Sequence, residues 1–67
     1  MTTIQVNGEA RDFEELLTIA QLLKELGVPV ETVLVERNRQ VVARTEFDKQ
    51  NIEEGDVFEL VRFVGGG

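Results

Sequence analysis

The sequence predicts an α+β fold, with one mixed sheet of four to five strands curled around a single helix. Three observations carry this expectation. Apolar and polar residues alternate near the start, in the middle and at the end of the chain, which is strand periodicity. Between the first and second of these regions, Ile19, Leu22, Leu23 and Leu26 recur at helical spacing. One helix cannot cover both faces of a sheet, so the simplest closure wraps a single sheet around it.

Ile4 and Val6 alternate with Thr3 and Gln5 and mark the first strand. Asn7-Gly8 tolerates positive φ at both positions and suits a type I′ hairpin. A second strand then runs from Glu9 to Phe13. With a strict two-residue loop, Glu9 lies opposite Val6, and Phe13 shares a face with Ile4; a longer loop changes that register. Thr18-Ile19-Ala20-Gln21 is a capping-box pattern, with Thr18 as N-cap and Gln21 reaching back. Leu16 and Leu17 blur the start of the helix. Asp12, Glu14 and Glu15 stand ahead of it and favour its positive end, and Lys24 favours the other. Gly27 stops the helix and Pro29 prevents its resumption. A helix this short is marginal alone, so its apolar stripe must be buried on the sheet.

Val33 and Val35 alternate with Leu34 and Glu36 as a third strand. Asn38-Arg39 is a turn, and Gln40 to Val42 a short fourth strand. Thr45 to Gln50 reads as a loop or one helical turn, with Phe47 plugging the core and Ile52 adding a second plug. Gly55 supplies positive φ to the turn Glu53-Glu54-Gly55-Asp56. The last strand, Val-Phe-Glu-Leu-Val-Arg-Phe-Val from Val57, is the most apolar and belongs in the middle beside the first. Phe58 and Leu60 then face the helix. Val61 and Phe63 point to the uncovered face. Residues 1–64 are read as the folded domain and 65–67 as a flexible glycine tail.

Composition narrows the function. Sixty-seven residues make one domain with a small core. The chain has neither Cys nor His, so disulfides, the usual zinc sites, thiol nucleophiles and Ser/His/Asp chemistry are excluded. Thirteen acidic residues against 7 basic ones, a formal charge of −6, argue against nucleic-acid binding. No apolar run approaches the ~20 residues of a membrane span. The N-terminus shows no signal peptide, and a cytoplasmic location is expected. The carboxylates around Glu53 and Asp12 sit in turn-like, solvent-facing sequence rather than in a cleft, so no catalytic residue is expected.

What remains is the terminus. Gly65, Gly66 and Gly67 follow a strand with no helix after them, so they cannot form a phosphate loop. Extended, three residues reach roughly 10 Å. Without Cβ atoms they can thread a passage too narrow for ordinary side chains. Such a tail can deliver the Gly67 carboxylate into another protein's active site. A carboxylate is a poor electrophile, so a partner would activate it, for example as an acyl-adenylate, before a sulfur donor displaces AMP. The bland alternative is a frayed or truncated glycine end.

These residues resemble the ThiS family of sulfur carriers, within the ubiquitin-like β-grasp fold. The matching pieces are Val6-Asn7-Gly8-Glu9, Thr18-Ile19 with Leu22-Leu23, Val35 to Asn38 with Val41-Val42 and Arg44, Glu54-Gly55-Asp56, and Phe63-Val64-Gly65-Gly66-Gly67. They occur in order and span nearly the whole chain. ThiS-like sequences often carry a glycine shortly before the Thr-Ile, where this chain has Leu16-Leu17. The resemblance implies a carrier rather than an enzyme. A ThiF-type adenylating enzyme would activate Gly67 with ATP and magnesium, neither bound by this chain. A cysteine desulfurase would supply the sulfur that makes the thiocarboxylate, and thiazole synthase (ThiG) would accept it for thiamine biosynthesis. Gly66 and Gly67 are the functional pair and Gly65 extends the reach. Val61 and Phe63, next to the tail, are the expected partner surface. Three rival classes are a MoaD-like carrier for molybdopterin, a ubiquitin-like protein modifier, and a binding module whose tail has no chemistry.

Overall fold

The computed structural model describes residues 1–63. Among them the chain forms strands β1 (Thr2–Val6) and β2 (Glu9–Phe13), helix α1 (Ile19–Leu26), then strands β3 (Val33–Arg37), β4 (Gln40–Val42) and β5 (Val57–Arg62). Short 3-10 turns at Val30–Thr32 and Arg44–Glu46 precede β3 and follow β4. The strands form one sheet in the order β2-β1-β5-β3-β4. The last strand thus lies at the centre, parallel to β1 and antiparallel to β3. This is the α+β, single-sheet architecture that the periodicities predict, with five strands rather than four.

Both hairpins close with two-residue loops. Val6 pairs with Glu9 across Asn7-Gly8, at φ 51° and 84°. Arg37 pairs with Gln40 across Asn38-Arg39, at φ 51° and 72°. Positive φ at both central residues matches the right-handed twist of the flanking strands. Phe13 pairs with Thr2 and so shares the face of Ile4, the register of the strict two-residue loop. Arg39 carries a Cβ in the left-handed region, which costs an L-residue about 1 kcal/mol. Arg39→Gly is therefore expected to raise stability by up to about 1 kcal/mol, the greater freedom of glycine in the unfolded chain limiting the gain. The urea midpoint checks this; a midpoint at or below that of the parent chain contradicts it.

The helix starts at Thr18 and not at the leucines before it. Thr18 Oγ1 accepts from the Gln21 N–H (3.1 Å), and the Gln21 Oε1 accepts from the Thr18 N–H (2.9 Å), so the capping box is complete. The 47–52 loop satisfies two further N–H groups at this end: Ile19 donates to the Gln50 carbonyl (2.9 Å) and Ala20 to the Phe47 carbonyl (2.8 Å). Such groups have no partner within a helix and need one from outside. Leu17 is buried, and its carbonyl accepts from Ile52, while Leu16 is exposed. The first turn itself carries no acidic residue, and of the three carboxylates ahead of the helix Asp12 accepts from the Thr3 hydroxyl (2.8 Å). At the other end Gly27 is left-handed (φ 72°), and the Val28 N–H returns to the Leu23 carbonyl while Gly27 returns to Lys24. This six-to-one, five-to-two pair is the Schellman stop that glycine permits.

The core lies between the helix and one face of the sheet. Ile19, Leu22 and Leu23 from α1 meet Ile4 and Val6 of β1, Val33 and Val35 of β3, and Phe58 of β5. Leu17, Phe47 and Ile52 close its end, as plugs supplied by the connections. Phe58 is fully buried, and Leu60 packs against the cluster's edge. Among the described residues no second layer covers the other face, so the central strand is apolar yet four of its six residues are exposed. Among the described residues no helix is long and apolar enough to cross a membrane.

Candidate functional site

The feature with a functional shape is the exit of β5. Its position is set by two asparagines, one from each hairpin turn. Asn38 sits at φ 51°; its N–H donates to the Val57 carbonyl (2.8 Å) and its Oδ1 accepts from the Val57 N–H (2.9 Å). Asn7, also at φ 51°, donates its N–H to the Phe58 carbonyl (2.9 Å). Its side chain then spans the Leu60 peptide groups: Oδ1 accepts from the Leu60 N–H (2.8 Å) and Nδ2 donates to the Leu60 carbonyl (3.3 Å). A turn asparagine thereby mimics a strand residue. β5 is pinned at Val57 from one side and at Leu60 from the other.

The start of β5 is fixed by charge as well. Asp56 is buried and pairs with Arg37 at 2.7 Å. The same carboxylate accepts from the Glu53 N–H (2.9 Å) and the Asn38 amide (3.1 Å). The Arg37 guanidinium also donates to Gln50 (3.1 Å) and lies 5.8 Å from the centre of the Phe58 ring. A buried ion pair needs this full complement of partners to offset desolvation. Asp56, Glu53, Gln50 and Phe58 are thus tied to the β3–β4 turn.

The face opposite the helix is open. Val61 is 51% and Phe63 57% exposed, as expected of residues on the uncovered side. Val41 and Val57 are exposed on the same face, and half-buried Leu34 pairs with Val61. Phe63 follows β5 directly, and its N–H donates to the Thr32 carbonyl (2.7 Å). Val41, Val57, Val61 and Phe63 thus leave a group of apolar side chains exposed beside the strand end. Gly65, Gly66 and Gly67, the residues expected to carry the chemistry, lie outside the described residues, as does Val64, the expected end of the domain. Phe63 marks where the tail is rooted.

The sequence pattern identified Asn7 and Asn38 as turn residues and Asp56 as part of a turn. It did not reveal that all three serve β5. The available signal is that an asparagine in a type I′ turn keeps its side-chain amide free for a neighbouring strand, but which strand depends on the sheet order.

Comparison with known proteins agrees with this geometry. The ThiS family model matches residues 4–67. Over 62 residues the chain is 42% identical to thiazole synthase of Paramagnetospirillum magneticum, covering 92% of the chain and 19% of that protein. The chain thus spans about a fifth of the length of the thiazole synthases it matches. It is 32% identical over 65 residues to the sulfur carrier protein ThiS of Bacillus subtilis, covering 96% of the chain and 98% of that protein. Among solved structures, the crystal structure of thiamine biosynthesis protein ThiS from Geobacter metallireducens superposes with a TM-score of 0.83 at 36% identity. That match covers 98% of this chain and all of the other.

Proposed function

The chain belongs to the ThiS family of sulfur carriers for thiamine biosynthesis, and we propose that it carries sulfur as a thiocarboxylate on Gly67. In this reading the chain catalyses nothing itself. Residues 1–64 are a handle and residues 65–67 a probe. A ThiF-type enzyme binds ATP and magnesium. The Gly67 carboxylate attacks the α-phosphorus, pyrophosphate leaves, and an acyl-adenylate forms. A persulfide from a cysteine desulfurase displaces AMP, and a thiol cleaves the resulting acyl disulfide to leave the thiocarboxylate. Thiazole synthase then takes the sulfur. The two thiazole synthases with a matching segment support that acceptor. All of these steps are expected to occur in the cytoplasm.

One observation carries the reading. The most central strand of the sheet ends beside an open apolar face at Phe63, four residues before Gly67. A partner can therefore grip a rigid body and receive a side-chain-free terminus at once. The direct test is incubation with the adenylating enzyme, ATP, magnesium and a sulfur source, followed by intact mass. Exchange of one oxygen for sulfur at Gly67 is expected; an unchanged mass overturns the proposal, and isopeptide adducts on other proteins would indicate a modifier.

The docking surface has its own test. Phe63→Asp places a charge in the apolar patch without touching the core, since Phe63 is exposed. It is expected to raise KM for the carrier in adenylation by about tenfold, roughly the 1.4 kcal/mol that one well-packed aromatic contact supplies. The melting temperature should stay within about a degree, as for surface changes that remove no packing. Unchanged kinetics would place the interface elsewhere.

A further inference from the structure

We infer that Asn7 is a positioning residue for loading: its side-chain amide replaces the missing continuation of β1 and so sets where the tail leaves the body. The inference rests on the carrier reading above. β1 pairs with β5 at Gln5–Val57 and Val6–Phe58, then ends, because Asn7-Gly8 turns the chain away into β2. Leu60 therefore has no strand residue beside it on that side. The backbone groups of Phe58 and Leu60 point toward β1, whereas the Phe63 N–H points toward the β3 side and meets Thr32. Without Asn7, both Leu60 groups would lose their lateral partner two residues before the strand ends. With it, β5 is held from both sides out to Leu60.

The consequence is mechanical. A strand residue rises about 3.3 Å, and a slip of one residue reverses every side chain. Even a 1 Å displacement of a reacting group can cost about a hundredfold in rate. A clamp at Leu60 fixes the last position of β5 that is held from both sides, ahead of a terminus that must present one carboxylate oxygen to one phosphorus atom. Val61 pairs with Leu34, and Phe63 with Thr32, through contacts in which Asn7 takes no part. The docking surface is therefore preserved when the clamp is removed, and the loss falls on the aim of the tail.

Two variants separate aim from folding. Asn7→Gly retains a residue suited to positive φ and loses both amide bonds. Asn7→Asp also tolerates this turn and keeps an acceptor for the Leu60 N–H, but has no donor for the carbonyl. Loading by the ThiF-type enzyme is measured at a temperature where circular dichroism shows both variants fully folded. The expected result is a kcat lowered about tenfold for Asn7→Gly, less for Asn7→Asp, with KM within about twofold of the parent. Amide exchange at Leu60 should rise by at least about tenfold in Asn7→Gly, while exchange in the helix is unchanged. An undiminished kcat in Asn7→Gly together with fast Leu60 exchange overturns the inference. So does a loss that disappears when rates are corrected for folded fraction, which would assign Asn7 a purely structural role. A parent chain that is never loaded overturns the carrier reading itself, and this inference with it.

Discussion

Deletion of Gly66 and Gly67 is expected to abolish thiocarboxylate formation and leave the melting temperature unchanged. The two halves of this prediction have separate causes. Every buried apolar side chain among the described residues lies between Ile4 and Phe58, and two glycines have no side chain to add to that core. The chemistry, in contrast, requires the carboxylate at one place. Removing two extended residues withdraws it by roughly 7 Å. Gly65 would then present a carboxylate of the same intrinsic reactivity, but out of reach. Since about 1 Å can cost a hundredfold, the expected rate loss exceeds about a thousandfold and falls below detection by intact mass. A milder change tests the same geometry: Gly66→Val keeps the length and adds a branched side chain to a segment proposed to thread a narrow passage. It is expected to lose nearly as much. If the deletion variant were loaded at the parent rate, the terminal carboxylate would not be the sulfur site.

The fold was legible because its local signals agree with one another. The type I′ turn at Asn7-Gly8, the capping box at Thr18, the glycine stop at Gly27 and the alternation in β1, β3 and β5 each name an element without reference to the others. Consistency at that level is what makes a sequence specify a single structure. The centrality of β5 followed from its being the most apolar strand. The burial of Phe58 and exposure of Val61 and Phe63 followed from alternation alone. What local patterns do not encode are contacts between segments far apart in the chain. Asn7 and Leu60 are separated by 53 positions, and Asn38 and Asp56 by 18. The dependence of the helix N-terminus on the carbonyls of Phe47 and Gln50 is of the same kind. So is the role of Leu17, whose side chain fills the core while its carbonyl holds Ile52. The exposed face beside Phe63 was legible through strand periodicity, whereas the glycine terminus lies outside the described residues. The restraint of β5 by Asn7 and Asn38 becomes visible only once the sheet order places that strand between their two turns.

Replacing Asp56 with Ala is expected to destabilise the domain by about 3–5 kcal/mol, because it strands a charge that the fold has largely removed from water. The Arg37 and Asp56 side chains are 16% and 8% exposed. A domain of this length is stable by roughly 3–10 kcal/mol in total, at the usual 0.05–0.15 kcal/mol per residue, so the variant should be marginal or unfolded at 37 °C. Arg37→Met should cost less. It leaves Asp56 with the Glu53 N–H and the Asn38 amide, and the methionine still fills space against Phe58. In the double variant Arg37→Met/Asp56→Ala neither charge is left alone, so the combined loss should fall short of the sum by about 0.5–3 kcal/mol. Urea unfolding of the four proteins closes the cycle. Additive losses would mean that Asp56 acts only as a turn acceptor and that the ion pair is incidental. The functional side of the experiment is equally specific. Neither side chain belongs to the open face of Val61 and Phe63, so any Asp56→Ala molecules that are folded at low temperature should still dock with the activating enzyme. Asp56 is, however, the residue immediately before β5, and its carboxylate accepts from the same Asn38 amide group whose oxygen pairs with Val57. A deficit in KM beyond the unfolded fraction would show that this end of the strand, like the Asn7 end, is restrained for delivery as well as for stability.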